Sequence, residues 1–249
     1  MKATNTKPIN PLFSHLLLLG MIFFIWSCDD EIEGPVSDLP DVDNSVSYLL
    51  PEFNDSGVNG YIVFSELPGG TIQADIIMAG TESGNSHPAH IHANSIVEGG
   101  DITIPLNPVD GATGKSTTEF SDISFQELLD YDGHVNVHLS ESDLTVVARN
   151  NIGGNELTGT AVSYNLEERA VEGISGSVTF EQRRNGSVKA TINLTGTPDG
   201  GSHPAHIHMN SAAEGGPIAV SFNPVNGSTG TSITDIEIGR ASCRERVCH

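Results

Sequence analysis

The heptapeptide SHPAHIH occurs twice in this chain, at Ser86–His92 and at Ser202–His208, and the two copies hold six of its 10 histidines. The offset of 116 residues between them also aligns LNPVDGATGKS with FNPVNGSTGTS further along the chain. A constant offset over several segments indicates a tandem repeat. We therefore predict one domain over residues 46–161 and a second over residues 162–236, with the second copy ending about two-thirds of the way through the repeat.

Each copy has the pattern of a β-sheet domain. The segments GYIVF, TIQADIIM and HVNVHL alternate in polarity or are rich in β-branched residues, and turn-forming sequences such as PGG and DG separate them. The one helical signal is SFQELLDYD, in which Ser124 and Glu127 have the spacing of a capping box. Many short strands in a domain of this length predict an all-β fold, namely tandem Greek-key sandwiches or barrels.

The N-terminal residues have the features of an export signal. Lys2 and Lys7 precede the apolar run LLLLGMIFFIWS, which Cys28 and several acids follow directly. The run is shorter than a membrane-spanning helix requires. A cysteine after a small residue resembles a bacterial lipobox, so we interpret residues 1–28 as a lipoprotein signal with Cys28 as the lipidated residue. An ordinary signal with an incidental cysteine is the alternative.

Residues 29–45 are interpreted as an acidic tether, whose first acids resemble the surface-export signal of Bacteroidota lipoproteins. These features predict a location in the cell envelope, with a lipid anchor in the outer membrane and the domains exposed at the surface. The last thirteen residues, 237–249, contain three arginines and two cysteines. They resemble a translated sequencing adapter, and a genuine basic tail is the alternative.

The charge of the remaining chain restricts its partners. Residues 29–236 contain 6 basic and 30 acidic side chains, a net charge of −24. Such a surface repels nucleic acid and anionic lipid and attracts cations. We therefore expect no nucleic-acid partner and no membrane contact other than the lipid anchor, while no protein partner is indicated.

The histidines are arranged as metal ligands would be. Residues two apart on a strand share a face, so His90 and His92 are expected to project together, with Ile91 toward the core. In HVNVH, the same alternation places His134 and His138 on one face. Clustered imidazoles suit copper, zinc, iron or nickel, and the lack of a suitable thiolate argues against a structural zinc site. The alternative is that these rings only pack and form hydrogen bonds.

The first copy resembles a known family. Its segments HPAHIHANS, SFQELLDYDGHVNVHLSESDL and NIGGNELTG resemble a CHRD (chordin-type) domain of bacterial lipoproteins, and it is more distantly similar to copper/zinc superoxide dismutase. In the dismutases, a strand with two histidines supplies two copper ligands and a later segment supplies another. The resemblance implies copper ligands at His90, His92 and His138, with His134 as a further candidate and His87 as a structural, non-ligating histidine.

The chain also departs from the dismutase pattern. Pro105, and Ser221 in the second copy, occupy the position of the histidine that bridges copper and zinc, so no zinc site is expected. The second copy retains His203, His206 and His208 but lacks the later strand, so its site is expected to be incomplete. The hypothesis is a copper-binding protein with copper-only superoxide dismutase activity as a further expectation, although no catalytic residue is assigned. The alternative is a non-enzymatic adhesion or scaffold module.

One pair of basic residues interrupts the repeat. Arg183 and Arg184 stand where the first copy has Leu67 and Pro68. They lie in a predicted hairpin turn of the second copy, where charged side chains are ordinarily solvated. We therefore expect both to be exposed and without a role in function.

Overall fold

The computed structural model describes residues 44–238. The predicted signal sequence with Cys28, nearly all of the tether and most of the basic tail lie outside the described residues. The described part consists of strands and a single short helix, which confirms the predicted all-β fold. None of its helices has the length and apolarity needed to cross a membrane.

The first copy forms an eight-stranded antiparallel sheet that is nearly closed into a barrel. Its strand order is β1-β2-β3-β6-β5-β4-β7-β8, so β3 and β4 are not neighbours, as in a Greek key. Just beyond β1, Glu52 bridges Ala148 on β8 and brings the two edges of the sheet together. The strands are β1 (Ser45–Leu50), β2 (Asn59–Glu66), β3 (Ile72–Ala79), β4 (Ser86–Ala93), β5 (Ile102–Asp110), β6 (Lys115–Phe120), β7 (Asp132–His138) and β8 (Val146–Gly153).

The one helix, α1 (Phe125–Leu129), lies between β6 and β7 and is capped as the sequence predicts. The Ser124 side chain accepts a hydrogen bond from the backbone N–H of Glu127, and the Glu127 carboxylate accepts one from the backbone of Ser124. Phe125 and Leu128 are buried against the barrel core. The helix thereby contributes two side chains to the core of the barrel.

Alternation along the strands builds the core of the barrel. Ile62 and Phe64 on β2, Ile91 on β4 and Val135 on β7 are fully buried and belong to one apolar cluster. Burying each such side chain contributes about 1.5–3 kcal/mol relative to leaving it in water. The residues that alternate with these core residues on β4 and β7 therefore face outward. Four of the first copy's five histidines, all but His87, lie at such positions.

The second copy repeats the first six strands of this arrangement in a more open form. One sheet has the order β12-β15-β16-β11-β10-β9, and β13 pairs only with β14. Its apolar cluster consists of Val178, Ile192 and Val225 with a few half-buried neighbours, and the described residues include no counterparts of β7 and β8. The strands are β9 (Leu157–Leu166), β10 (Ser175–Arg183), β11 (Val188–Thr195), β12 (Ser202–His203), β13 (His206–His208), β14 (Ile218–Ser221), β15 (Val225–Asn226) and β16 (Thr231–Ile236).

The predicted exposure of Arg183 is wrong, because this residue is only 1% exposed. Its guanidinium donates to the Asn155 carbonyl at 2.6 Å and to the Asp235 carboxylate at 2.8 Å. The Ser95 hydroxyl, which belongs to the first copy, also donates to Asp235. The result is a buried ion pair at the contact between the two copies.

The backbone explains why the arginine is enclosed. The turn between β10 and β11 packs on the connection between β8 and β9, where the Arg184 N–H donates to the Glu156 carbonyl at 3.0 Å and the Asn185 N–H to the Gly154 carbonyl at 2.8 Å. The Arg184 side chain, by contrast, points toward solvent and pairs with Glu156 while remaining about half exposed.

We expect Arg183→Met to lower the free energy of unfolding by about 3–5 kcal/mol, because the Asp235 carboxylate would remain buried without a countercharge. The double variant Arg183→Met/Asp235→Leu should recover most of this loss, since an apolar pair removes the uncompensated charge. Urea denaturation followed by circular dichroism measures both changes. The matched control is Arg184→Ala, whose exposed ion pair should contribute no more than about 1 kcal/mol. Equal effects of the two single variants would contradict the buried ion pair.

Candidate metal centre

Three histidines of the first copy converge on the outer face of the barrel. One ring nitrogen from each of His90, His92 and His138 lies within 4.8 Å of the other two. Three atoms no farther apart than this share a point within about 2.8 Å of each, close to the roughly 2 Å of a metal–nitrogen bond. The arrangement is compatible with a metal site.

The pairing of β4 with β7 produces this convergence. His90 is paired with Asn136 and His92 with His134, while Ile91 is paired with Val135 on the core side. His138 is diagonal to His90, at the end of β7 where the register of β7 with β8 shifts. The ring centroids of His90 and His138 are 5.3 Å apart. Diagonal neighbours at this separation are within reach of long side chains, so the pairing alone brings rings from two strands together.

Hydrogen bonds to backbone carbonyls define which ring nitrogens are free. His92 Nδ1 bonds the Gly100 carbonyl at 3.0 Å, and His138 Nδ1 bonds the Leu144 carbonyl at 2.7 Å. Because a carbonyl oxygen only accepts, both Nδ1 atoms carry the proton, and each Nε2 is left with a lone pair in the neutral ring. This is the protonation state in which imidazole binds a metal.

Buried ring nitrogens without hydrogen-bond partners test whether the histidine cluster suits a metal ion. His90 Nδ1 and His92 Nε2 are buried and have no hydrogen-bond partner. Burying polar atoms without partners is costly, so each such atom needs an explanation. A metal ion shared by these rings would supply it. Asn136 Oδ1, which lies between the histidines on the same face, is also buried without a partner. It offers a neutral oxygen beside the cluster.

His134 lies next to the cluster but outside it. Its ring stacks on that of His92 with centroids 5.0 Å apart and planes at 14°. Its Nδ1 donates to the Asn94 carbonyl at 2.8 Å. The His134 ring therefore packs against His92 from one side. That His134 is an additional metal ligand stays a prediction.

His87 contacts the site through the backbone. It is 1% exposed on the core side of β4, and its Nδ1 donates to the carbonyl of His138 at 3.1 Å. That carbonyl lies where the register of β7 with β8 shifts. The bond ties the backbone of a candidate ligand to β4, in keeping with a structural role for His87.

The loop after β4 connects the site to the second copy. The loop begins with Asn94, which has a positive φ of 63°. It supplies both the Asn94 carbonyl bonded by His134 and the Gly100 carbonyl bonded by His92. Ser95 in the same loop donates to Asp235, the partner of Arg183. The buried ion pair between the copies therefore anchors the loop that orients two of the histidine rings.

The surroundings favour neutral rings. Burial lowers the pKa of His90 below its usual value, and the nearby His138 and His92 lower it further. Burial also lowers the pKa of His134, with further contributions from His92 and Arg149, and the bond to Asn94 partly opposes them. Both rings are therefore unprotonated at neutral pH.

Arg149 is a residue of this face that the sequence analysis missed. It is paired with Asn136 across β7 and β8, so its side chain shares the face of the histidines. Its guanidinium lies 3.7 Å from the centre of the Phe53 ring, a cation–π contact that holds the charge in place. The available signal was a charged residue next to Ala148 on a predicted strand, since neighbouring strand residues point to opposite faces.

The second copy holds only part of this arrangement. His206 and His208 lie on β13 and are exposed, while His203 lies on β12 and is half-buried. The described residues of the second copy provide no third ring beside this pair. In the first copy, Pro105 lies directly opposite His90 on β5, and this position therefore contributes no ring nitrogen.

Comparison with known proteins gives a partial match. A segment of 60 residues is 40% identical to Cell surface superoxide dismutase [Cu-Zn] 4 of Candida albicans (strain SC5314 / ATCC MYA-2876). The match covers 22% of this chain and 26% of that protein, so the chain spans about a quarter of the length of the relative. No protein-family model matches the chain. The chain thus has partial similarity to a copper–zinc superoxide dismutase.

We expect the metal-free protein to lose stability as the pH falls below the ordinary histidine value of about 6.5. His90 and His134 have lowered pKa values in the folded state, so the unfolded chain binds protons first and is favoured in this window. The loss should level off below the folded pKa values. Urea denaturation in a chelator at several pH values measures it. The His90→Ala variant should show a weaker dependence, and an unchanged dependence would contradict this assignment.

Proposed function

We propose that this protein binds copper through His90, His92 and His138. The observation that carries the proposal is the convergence of three ring nitrogens, with two nitrogens of the cluster buried and unpartnered. Imidazole is a good ligand for copper, zinc, nickel and iron, and among divalent ions of this series copper binds most tightly. The partial similarity to a protein named as a copper–zinc superoxide dismutase supports copper as the resident metal.

The same similarity supports superoxide dismutation as the activity of the loaded site. Bound copper would supply one-electron redox chemistry. The chain would hold three imidazoles in place and present a positive charge at Arg149 on the same face. The net charge of −24 over residues 29–236 opposes the approach of an anion. Copper binding is therefore the better supported part of the proposal, and dismutation is its extension.

A non-enzymatic scaffold is the competing function, and the buried nitrogens argue against it. Buried polar atoms of a purely structural residue are ordinarily hydrogen-bonded. His138 and His92 use Nδ1 in this way, but His92 Nε2 and His90 Nδ1 have neither partner nor solvent. His87 Nε2 is buried without a partner as well. What favours a metal at His90 and His92 is therefore that their unpartnered nitrogens belong to rings that converge with a third ring.

The proposed cellular location rests on the sequence of residues 1–28 and on the name of the matched relative. A signal-like sequence at residues 1–28, ending in Cys28, supports export and lipid anchoring, and the matched relative is named as a cell-surface protein. We accordingly place the protein in the cell envelope, anchored in the outer membrane and exposed at its surface. The CHRD-type organisation of two repeated domains belongs to the same proposal.

We expect copper titration of the purified protein to show one tight equivalent that the His90→Ala/His92→Ala variant loses. His138→Ala should weaken the same equivalent, because a third ligand is removed from a preorganised site. Isothermal titration calorimetry with a competing chelator measures the affinity. The control is His206→Ala/His208→Ala, a matched double change outside the cluster, which should retain the tight equivalent. Unaltered tight binding in His90→Ala/His92→Ala would refute the proposed site.

If the loaded protein dismutates superoxide, we expect its rate constant to rise with ionic strength, because salt screens the repulsion between the acidic protein and the anion. Arg149→Ala should lower the rate constant by roughly two- to tenfold through loss of local positive charge, and Arg149→Lys should restore part of it. Pulse radiolysis measures both effects.

The control for this experiment is Arg184→Ala, which makes the same charge change on the second copy. Equal slowing by the two alanine variants would mean that only total charge matters and that Arg149 has no special position. A copper-loaded protein without dismutase activity would end the catalytic extension and leave the binding proposal standing.

A further inference from the structure

The second copy reproduces the geometry of the histidine pair. The rings of His206 and His208 have centroids 6.0 Å apart and planes at 85°, against 5.9 Å and 85° for His90 and His92. His208 Nδ1 donates to the Gly216 carbonyl at 2.8 Å, as His92 does to Gly100. The His208 Nε2 therefore keeps a lone pair, as in the first copy.

A local unit of chain explains this agreement. In both copies, an asparagine with positive φ follows the strand, at 69° for Asn210 and 63° for Asn94. The Asn210 side-chain amide donates to the Gly215 carbonyl at 3.0 Å, and this bond closes the loop. Gly216 lies so close to the Met209 carbonyl that a Cβ atom would come within 2.2 Å of it. Strand and loop thus orient the ring of His208 without help from the rest of a barrel.

The two copies differ in what surrounds the pair. In the first copy β4 is paired on both sides, whereas β13 pairs with β14 alone. His206 and His208 are therefore exposed, and a cavity of about 500 Å³ opens beside His208. Two imidazoles at this spacing suit chelation of one ion, and water is free to fill the remaining coordination positions. The acidic surface of the chain raises the local concentration of cations.

We infer that His206 and His208 form a second metal site, open to solvent, that takes up Cu(II) more weakly than the three-histidine cluster. This site lies outside the residues of the proposed function and does not depend on them. Its weaker binding follows from having two ring ligands in place of three and from its exposure to water. Its accessibility makes it suited to rapid exchange of the ion.

The test is a titration of the full chain with Cu(II) alone, followed by electron paramagnetic resonance. Wild-type protein should take up a second, weaker equivalent with nitrogen hyperfine structure, and His206→Ala/His208→Ala should lose that equivalent and keep the tight one. If the rings chelate together, either single variant should lose as much of the weak equivalent as the double variant does. Because both side chains are exposed, these variants should retain the wild-type melting temperature.

The possible outcomes separate this inference from the proposed function. Absence of a second equivalent in the wild-type protein, or its survival in the double variant, overturns the inference. Single variants that each retain about half of the weak binding also overturn it, because they indicate independent surface imidazoles. A weak equivalent that depends on His206 and His208, without any tight equivalent, supports the inference and refutes the three-histidine site.

Discussion

The register between β4 and β7 is the constraint on which both the barrel and the histidine cluster depend. Ile91 and Val135 are paired and fully buried, so the neighbouring positions on both strands are directed outward. A slip of one residue would bury the imidazoles of His90 and His92 and expose Ile91. Such a slip would lose apolar burial and bury polar rings without partners, and both changes are unfavourable. The contacts that stabilise the core therefore also determine which rings meet outside it.

Strand pairing places the rings, and backbone carbonyls then orient them. The loop after β4 accepts from His92 through Gly100, and the loop after β7 accepts from His138 through Leu144. Each bond fixes one tautomer and one ring orientation before any metal arrives. Outer contacts of this kind commonly change metal affinity by about 10- to 100-fold when they are removed. The link from Ser95 to Asp235 extends this support to the second copy.

The parts of this arrangement that follow from local pattern could be predicted from the sequence. Alternation along HPAHIH and HVNVH places His90, His92 and His138 on outward faces, and the capping box of Ser124 marks the helix. The burial of Arg183 could not be predicted, because it depends on Ser95 and Asp235, which are distant in the chain and meet only where the copies touch. The position of His134 was predicted only in part, since sharing a face does not decide whether a ring points into a cluster or stacks on its neighbour.

Comparison of the two copies separates what a motif encodes from what a fold adds. The angle and spacing of the histidine pair are the same in both, so they belong to the strand and its loop. Burial is not the same, because Ile91 and Tyr48 are 0% and 3% exposed, whereas their counterparts Ile207 and Tyr164 are 37% and 58% exposed. The difference arises from β7 and β8, which cover the first copy and also contribute the third histidine. The geometry of the histidine pair is therefore a local property of the strand and its loop. Shielding the pair from water and adding a third histidine both require pairing with a strand that is distant in the sequence.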